Sequence, residues 1–404
     1  MRAHHFQEIR ADGRCLGYLS VLGWHGLFSL AVYITARQLQ VMVSLSQLDY
    51  HPEMWHVVCL AIPTILAAVF SNLFVLKRLP WIEGVLFLLH VGGFCFVVVV
   101  TWVMGPREDA RVVFTQFSAA SGWGDVNIGL ACLVGLGPPL SILAGADSAC
   151  HVAEEVRNAA RAVPRAMVAT SAINSLMGLV IVLTFVFNIG NTDSVLYPEH
   201  ILSYVSVFYT ATQSVAATYF CVSLIAVLLC FCAINRATSA SRQLYAFARD
   251  AGLPFSKWLS HVGSGSAVPR NSIMATALLS TLIILVVIGS EAAWQYISTT
   301  ATSCILLSYW IAIAVLLWRK LSGGKLPASQ YHLGRTRGIV INLFSLAFLT
   351  LALVFSFFPT RPWSKASAVN WNIVVVPAAI IFCSVYYAFH GRYYYKAPVE
   401  KLKA

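Results

Sequence analysis

The chain has 404 residues, 58% of them apolar and only 11% charged, with a formal net charge of +11 and a mean hydropathy of +0.74. Soluble domains carry about 25% charged and about 45–50% apolar residues. This composition therefore excludes a water-exposed globule and calls for lipid as the solvent. The basic residues are scattered through short breaks between apolar runs, which argues against nucleic acid as a partner and for a lipid bilayer.

In chain order, residues 1–15 read as a polar N-terminal segment without the pattern of a cleavable signal. Ten apolar runs near the ~20 residues of a spanning helix follow. They lie at 16–45, 55–76, 83–104, 126–146, 167–189, 212–234, 272–288, 293–318, 339–358 and 371–389. The expected fold is an all-α polytopic membrane protein, with a transmembrane domain over 16–390 and a cytoplasmic tail over 391–404. The first run is long for one straight helix and carries Arg37, which is expected to snorkel toward the outer interface. Eight of the ten cysteines fall inside these runs and no C-x-x-C occurs, so they read as small packing residues.

Ten spans leave both termini on one side. With that side taken as the N-terminal one, 22 of the 27 lysines and arginines fall in connections facing it. Four face the other side, and Arg37 lies within a span. This is a strong positive-inside bias, and both termini are expected in the cytoplasm. Two inner connections, 148–165 and 235–270, are long and mixed in charge, and read as partly helical along the membrane surface. In the second, Leu244, Tyr245, Phe247 and Ala248 recur at helical spacing before Gly252 and Pro254 end the pattern, either as a solvated connector or as a gating element.

Enzyme signatures such as H-E-x-x-H, G-x-S-x-G or a Walker lysine loop are absent, so no catalytic residues and no cofactor are expected. The nearest approach to a metal site, His151 with Glu154 and Glu155, has no second histidine at ligand spacing, and no metal is expected. The informative stretch is 141–167. A span that should end cleanly contains Gly145 and then Asp147, followed by a polar run closing at Pro164. Glycine costs about 1 kcal/mol in a helix, and a carboxylate at membrane depth costs on the order of 2.5–3.5 kcal/mol. Either the helix is broken there, freeing backbone groups for a solute, or Gly145–Asp147 caps it at the interface.

Several strings resemble those of the amino acid–polyamine–organocation permeases, in the fungal branch of choline, GABA and amino-acid permeases. G-A-D-S-A-C-H-V-A-E-E-V-R-N-A from Gly145, with Pro164, resembles the family's sixth helix and following loop. A-T-S-A-S-R-Q-L-Y-A-F-A-R-D-A-G-L-P-F-S from Ala237 resembles the loop after its eighth. An L-P and L-G-R pair at 326–335, N-W-N at 370–372 and G-R-Y-Y-Y-K-A-P-V from Gly391 resemble its last third. The resemblance implies a leucine-transporter-like inverted-repeat fold in which the ten spans are helices three to twelve. It implies substrate contacts at the unwound backbone of Ala144, Gly145 and Ala146 and at Asp147, and proton coupling at Asp147. The family's first two helices have no counterpart in these residues, and residues 1–14 look unrelated to them.

Three further polar groups lie within spans. His90 is either a packing histidine or a second proton-coupling group. Trp24 and His25 fall in the helix that lines the family's site, and each either packs or contacts substrate. The expected function is secondary transport of a small amine or amino acid, such as choline, GABA or an amino acid, coupled to protons, most simply in the plasma membrane and otherwise in a vacuolar or other internal membrane. The alternative is a truncated, non-transporting remnant or accessory membrane protein of the same family.

Overall fold

The computed structural model describes residues 2–47, 49–75, 78–116, 123, 127–190, 202–263, 268–289, 293–323, 331, 333–359, 362 and 370–395. Its side chains are described from residue 15 onward, except that of Arg392. The described residues form helices and no strand. In order these are α1 (Arg2–Ser46), α2 (Met54–Phe70), α3 (Leu79–Met104) and α4 (Ala110–Thr115). The fourth span is in three pieces, α5 (Ile128–Val134), α6 (Gly137–Leu143) and α7 (Ser148–His151). Then come α8 (Ala159–Phe187), α9 (Ser203–Thr212), α10 (Val215–Arg249) and α11 (Ser256–Leu259). The last are α12 (Arg270–Gly289), α13 (Ala293–Leu321), α14 (Arg335–Ser356) and α15 (Asn372–Tyr386). A π-helical turn, Ser71–Val75, extends α2, and another, Tyr387–Gly391, extends α15. Ten helical stretches are long and apolar enough to cross a membrane, and they coincide with the ten apolar runs. The protein is an all-α polytopic membrane protein.

The first span, Cys15–Ser46 of α1, is the hub, with 78% of its apolar window buried against none of that in α8. Small residues let its neighbours come close, as they do in membrane bundles. A Cβ at Gly23 would stand 2.6 Å from the Ile305 side chain, and one at Gly26 would stand 2.5 Å from the Ala301 Cβ. On the α10 side, Gln38 donates to the Val222 carbonyl (2.8 Å) and Thr35 to that of Leu229 (3.1 Å). Lower on α1, the Tyr18 and Phe247 rings meet edge to face at 4.8 Å. Residue numbers fall along α10 as they rise along α1, so the two helices run antiparallel. On the α12 side, His25 bonds Thr276 and Ser29 bonds Ser280, both at 3.1 Å. These buried polar pairs fix helix register where hydrophobicity alone, equal in lipid and protein, cannot. The periphery is apolar: Leu176, Leu179, Phe344 and Phe382 are exposed, as a lipid-facing surface requires.

Four local expectations change. The first run is a single helix, and α1 also takes in most of the polar N-terminal stretch. Its Arg37 bonds Gln40 of the same helix at 2.7 Å. The 235–270 connection does not start as a membrane-surface helix, because α10 continues unbroken to Arg249. The reason lies in its periodic apolar face: Leu244, Phe247 and Ala248 are buried with Tyr18, Leu259 and Tyr395. In the 148–165 connection, Pro164 does not close a polar run but lies inside α8, which starts at Ala159. The run at 126–146 is not one helix either, since it is interrupted after Val134 and again after Leu143.

Candidate functional site

The second interruption is set by backbone chemistry. The last turn of α6 closes with the Ala144 amide on the Leu140 carbonyl, and Ala144 itself is extended. Gly145 follows at φ +114°, a conformation that side-chain-bearing residues rarely adopt. Ala146 and Asp147 form a turn, and helical geometry resumes at Ser148. Of the two readings of the Gly145–Asp147 stretch, the geometry is that of a discontinuous helix. Helical dihedrals return after it, in α7.

Asp147 is the centre of what this break presents. Trp24 of α1 donates from its indole to Oδ2 at 3.1 Å, and Tyr309 of α13 donates its phenol to Oδ1 at 2.5 Å. His151, one turn on, places Nε2 3.3 Å from Oδ2, and its ring meets that of Trp24 edge to face at 5.3 Å. The Tyr309 hydroxyl also faces the backbone at Gly145 and Asp147. A carboxylate out of water keeps its charge only when donors replace its hydration; here they come from α1 and α13, with His151 of α7 at ion-pair distance. A second inter-helix bond lies one turn earlier, where Ser141 meets Thr302 at 2.6 Å.

Just beyond the break, two ion pairs tie the chain to α10. Arg242 donates to Glu155 at 2.6 Å, and Arg249 grips Glu154 with two bonds of 2.8 and 2.9 Å. Both glutamates are thus turned to arginines, and among the described residues no cluster of three potential metal ligands occurs.

The structure brings Trp24, Ala144, Gly145, Ala146 and Asp147 together but not His90, which lies on the exposed face of α3. His25 points away from the break, bonded to Val21 and Thr276. Sequence reasoning missed two members. His151 stands four residues from Asp147, a helical-neighbour spacing that could have revealed it. Tyr309, inside an apolar run with other aromatics, carries no local signal.

Comparison with known proteins agrees with this architecture. The chain is 27% identical to amino-acid permease 2 of Neurospora crassa over 95% of its own length and 70% of the relative's. It is 29% identical to the choline transporter of Saccharomyces cerevisiae, covering 90% of this chain and 64% of that protein. To the GABA-specific permease of the same yeast it is 27% identical, over 74% of this chain and 52% of the relative. The sequence model of a family described as amino acid permease matches residues 13–383. That match runs from the first span into the tenth and places the protein among transporters rather than enzymes. The chain belongs to the amino acid permease family.

Proposed function

We propose that the protein is a proton-coupled secondary transporter of a small nitrogen-containing solute, drawn from the choline, GABA and amino-acid class of its relatives. The observation that carries this reading is Asp147, a carboxylate at a helix break inside the bundle, held by donors from α1 and α13 and with His151 3.3 Å away. The solute's cationic nitrogen binds at the break, against the backbone of Ala144, Gly145 and Ala146, with Trp24 as the flanking ring. Asp147 is the coupling group. Ionised, it holds Trp24 and Tyr309; protonated, it accepts those bonds more weakly and loosens α13 from the break. A solute ammonium competes with Tyr309 for the same oxygen. His90 is the second candidate for proton handling, and its exposed place on α3 ranks it below Asp147. The charge bias supports a cytoplasmic place for both termini, and the plasma membrane is the proposed location.

The test is uptake of labelled choline, GABA and a panel of amino acids by a host lacking its own carriers. Saturable uptake of at least one, faster at acidic external pH, is the expected result. The absence of uptake for the whole panel, with the protein shown to be in the membrane, would reject the reading.

A further inference from the structure

Arg236 stands apart from the other arginines of the bundle. Arg242 and Arg249 pair with glutamates, and Arg37 bonds a glutamine side chain. Arg236 has one bond, from Nη1 to the backbone carbonyl of Leu27 at 3.2 Å. Among the described residues no carboxylate lies within ion-pair distance of it. The Glu83 carboxylate on α3 lies beside Asn235, with its Oε1 buried and without a hydrogen-bond partner, and makes no ion pair with Arg236. The sequence reading assigned Arg236 to an inner connection, but α10 passes through it without a break. It lies level with Leu27, near the middle of α1. An arginine inside the helical bundle of a membrane protein is a functional candidate, and its guanidinium retains most of its five donors. Half-buried, it is not sealed into the core.

Its position relative to Asp147 gives the group a purpose. Trp24, whose indole holds Asp147, and Leu27, whose backbone carbonyl holds Arg236, are three residues apart on α1. Their separation along the axis is about 4.5 Å. The carboxylate at the break and the unpaired guanidinium therefore reach α1 within one turn of each other. A cationic site beside an anionic one suits a solute carrying both charges. A guanidinium can take a carboxylate through two parallel bonds, which a backbone carbonyl cannot satisfy.

We infer that Arg236 docks the carboxylate of the transported solute, so that the protein selects zwitterionic amino acids over carboxylate-free cations such as choline. This rests on the reading that the break at Gly145–Asp147 holds the solute's nitrogen. A carboxylate-free cation would leave the guanidinium unpaired and would feel its repulsion.

The experiment is competition binding to the full chain in lipid nanodiscs, pairing each acid with its decarboxylated amine: alanine with ethylamine, GABA with propylamine, and choline alongside. The wild type is expected to bind each acid at least tenfold more tightly than its amine. Arg236→Gln should weaken the acids tenfold or more and leave the amines and choline unchanged or improved, while Arg236→Lys should recover part of the loss. If Arg236→Gln fails to reach the membrane, Arg236→Lys with the wild-type acid–amine pairs decides. Amines or choline bound as tightly as acids, or acids bound equally by the variants, would overturn the inference and leave the transporter reading standing. If no solute binds and none is taken up, both fall together.

Discussion

Tyr309 and Asp147, 162 positions apart in sequence, are joined by a 2.5 Å hydrogen bond from the phenol to the carboxylate. That bond closes α13 onto the break in the fourth span, at the place where backbone groups leave helical pairing. Removing the hydroxyl tests whether it holds the break shut. Tyr309→Phe keeps the ring but loses the bond, which is worth about 1.5–3 kcal/mol for a charged acceptor and less where membrane alternatives exist. Thermal unfolding in detergent should show a lower midpoint in the variant. An unchanged midpoint would mean that α13 is held elsewhere.

Gly145 supplies a second prediction. A Cβ there would meet nothing nearer than the Trp24 ring at 3.5 Å, so space is adequate, but φ is +114°. The cost of Gly145→Ala is therefore backbone strain, about 1–3 kcal/mol. The same measurement should find Gly145→Ala destabilised and Ala146→Gly nearly neutral. Equal effects would show that the backbone at 145 is not held in that conformation.

The two ion pairs beyond the break should differ in worth. The Arg242 side chain is 6% exposed, whereas those of Arg249 and Glu154 are 38% and 73% exposed. Glu155→Gln strands a buried guanidinium, while Glu154→Gln removes a solvent-screened pair worth about 0–1 kcal/mol. Unfolding in detergent should place Glu155→Gln clearly below Glu154→Gln. The reverse order would contradict the burial argument.

Orientation is open to labelling with a membrane-impermeant thiol reagent. Arg157 and Arg107 are both exposed, at connections expected on opposite sides. Arg157→Cys should react only after permeabilisation and Arg107→Cys in intact cells. The opposite pattern would invert the topology.

Much of this was legible in the sequence, because a membrane imposes its rule locally: each span needs its own run of apolar residues. All ten runs were found for that reason, and Gly145 with Asp147 marked the place as either a break or a cap. What escaped depended on tertiary contact. The stretch after Asn235 looked amphipathic enough to lie on a membrane, yet its apolar face packs on Tyr18 and Tyr395 and so prolongs α10. That prolongation moved Arg236 from a loop into the bundle. Tyr309 could not be distinguished from its apolar neighbours, since its role comes from a carboxylate on another helix. His90, singled out as an intramembrane ionisable group, lies on an exposed face, which composition alone cannot reveal.

The central claim, that Asp147 couples protons to solute movement, is tested most directly in proteoliposomes carrying an imposed pH gradient. Asp147→Asn preserves the size of the side chain and an acceptor oxygen for Tyr309 or Trp24 but removes the titrating charge. Wild-type vesicles should accumulate the labelled solute when the outside is acidic and stop when the gradient is collapsed. Asp147→Asn vesicles, with equal protein incorporated, should show no response to the gradient. Gradient-driven accumulation in Asp147→Asn equal to that of the wild type would contradict the account.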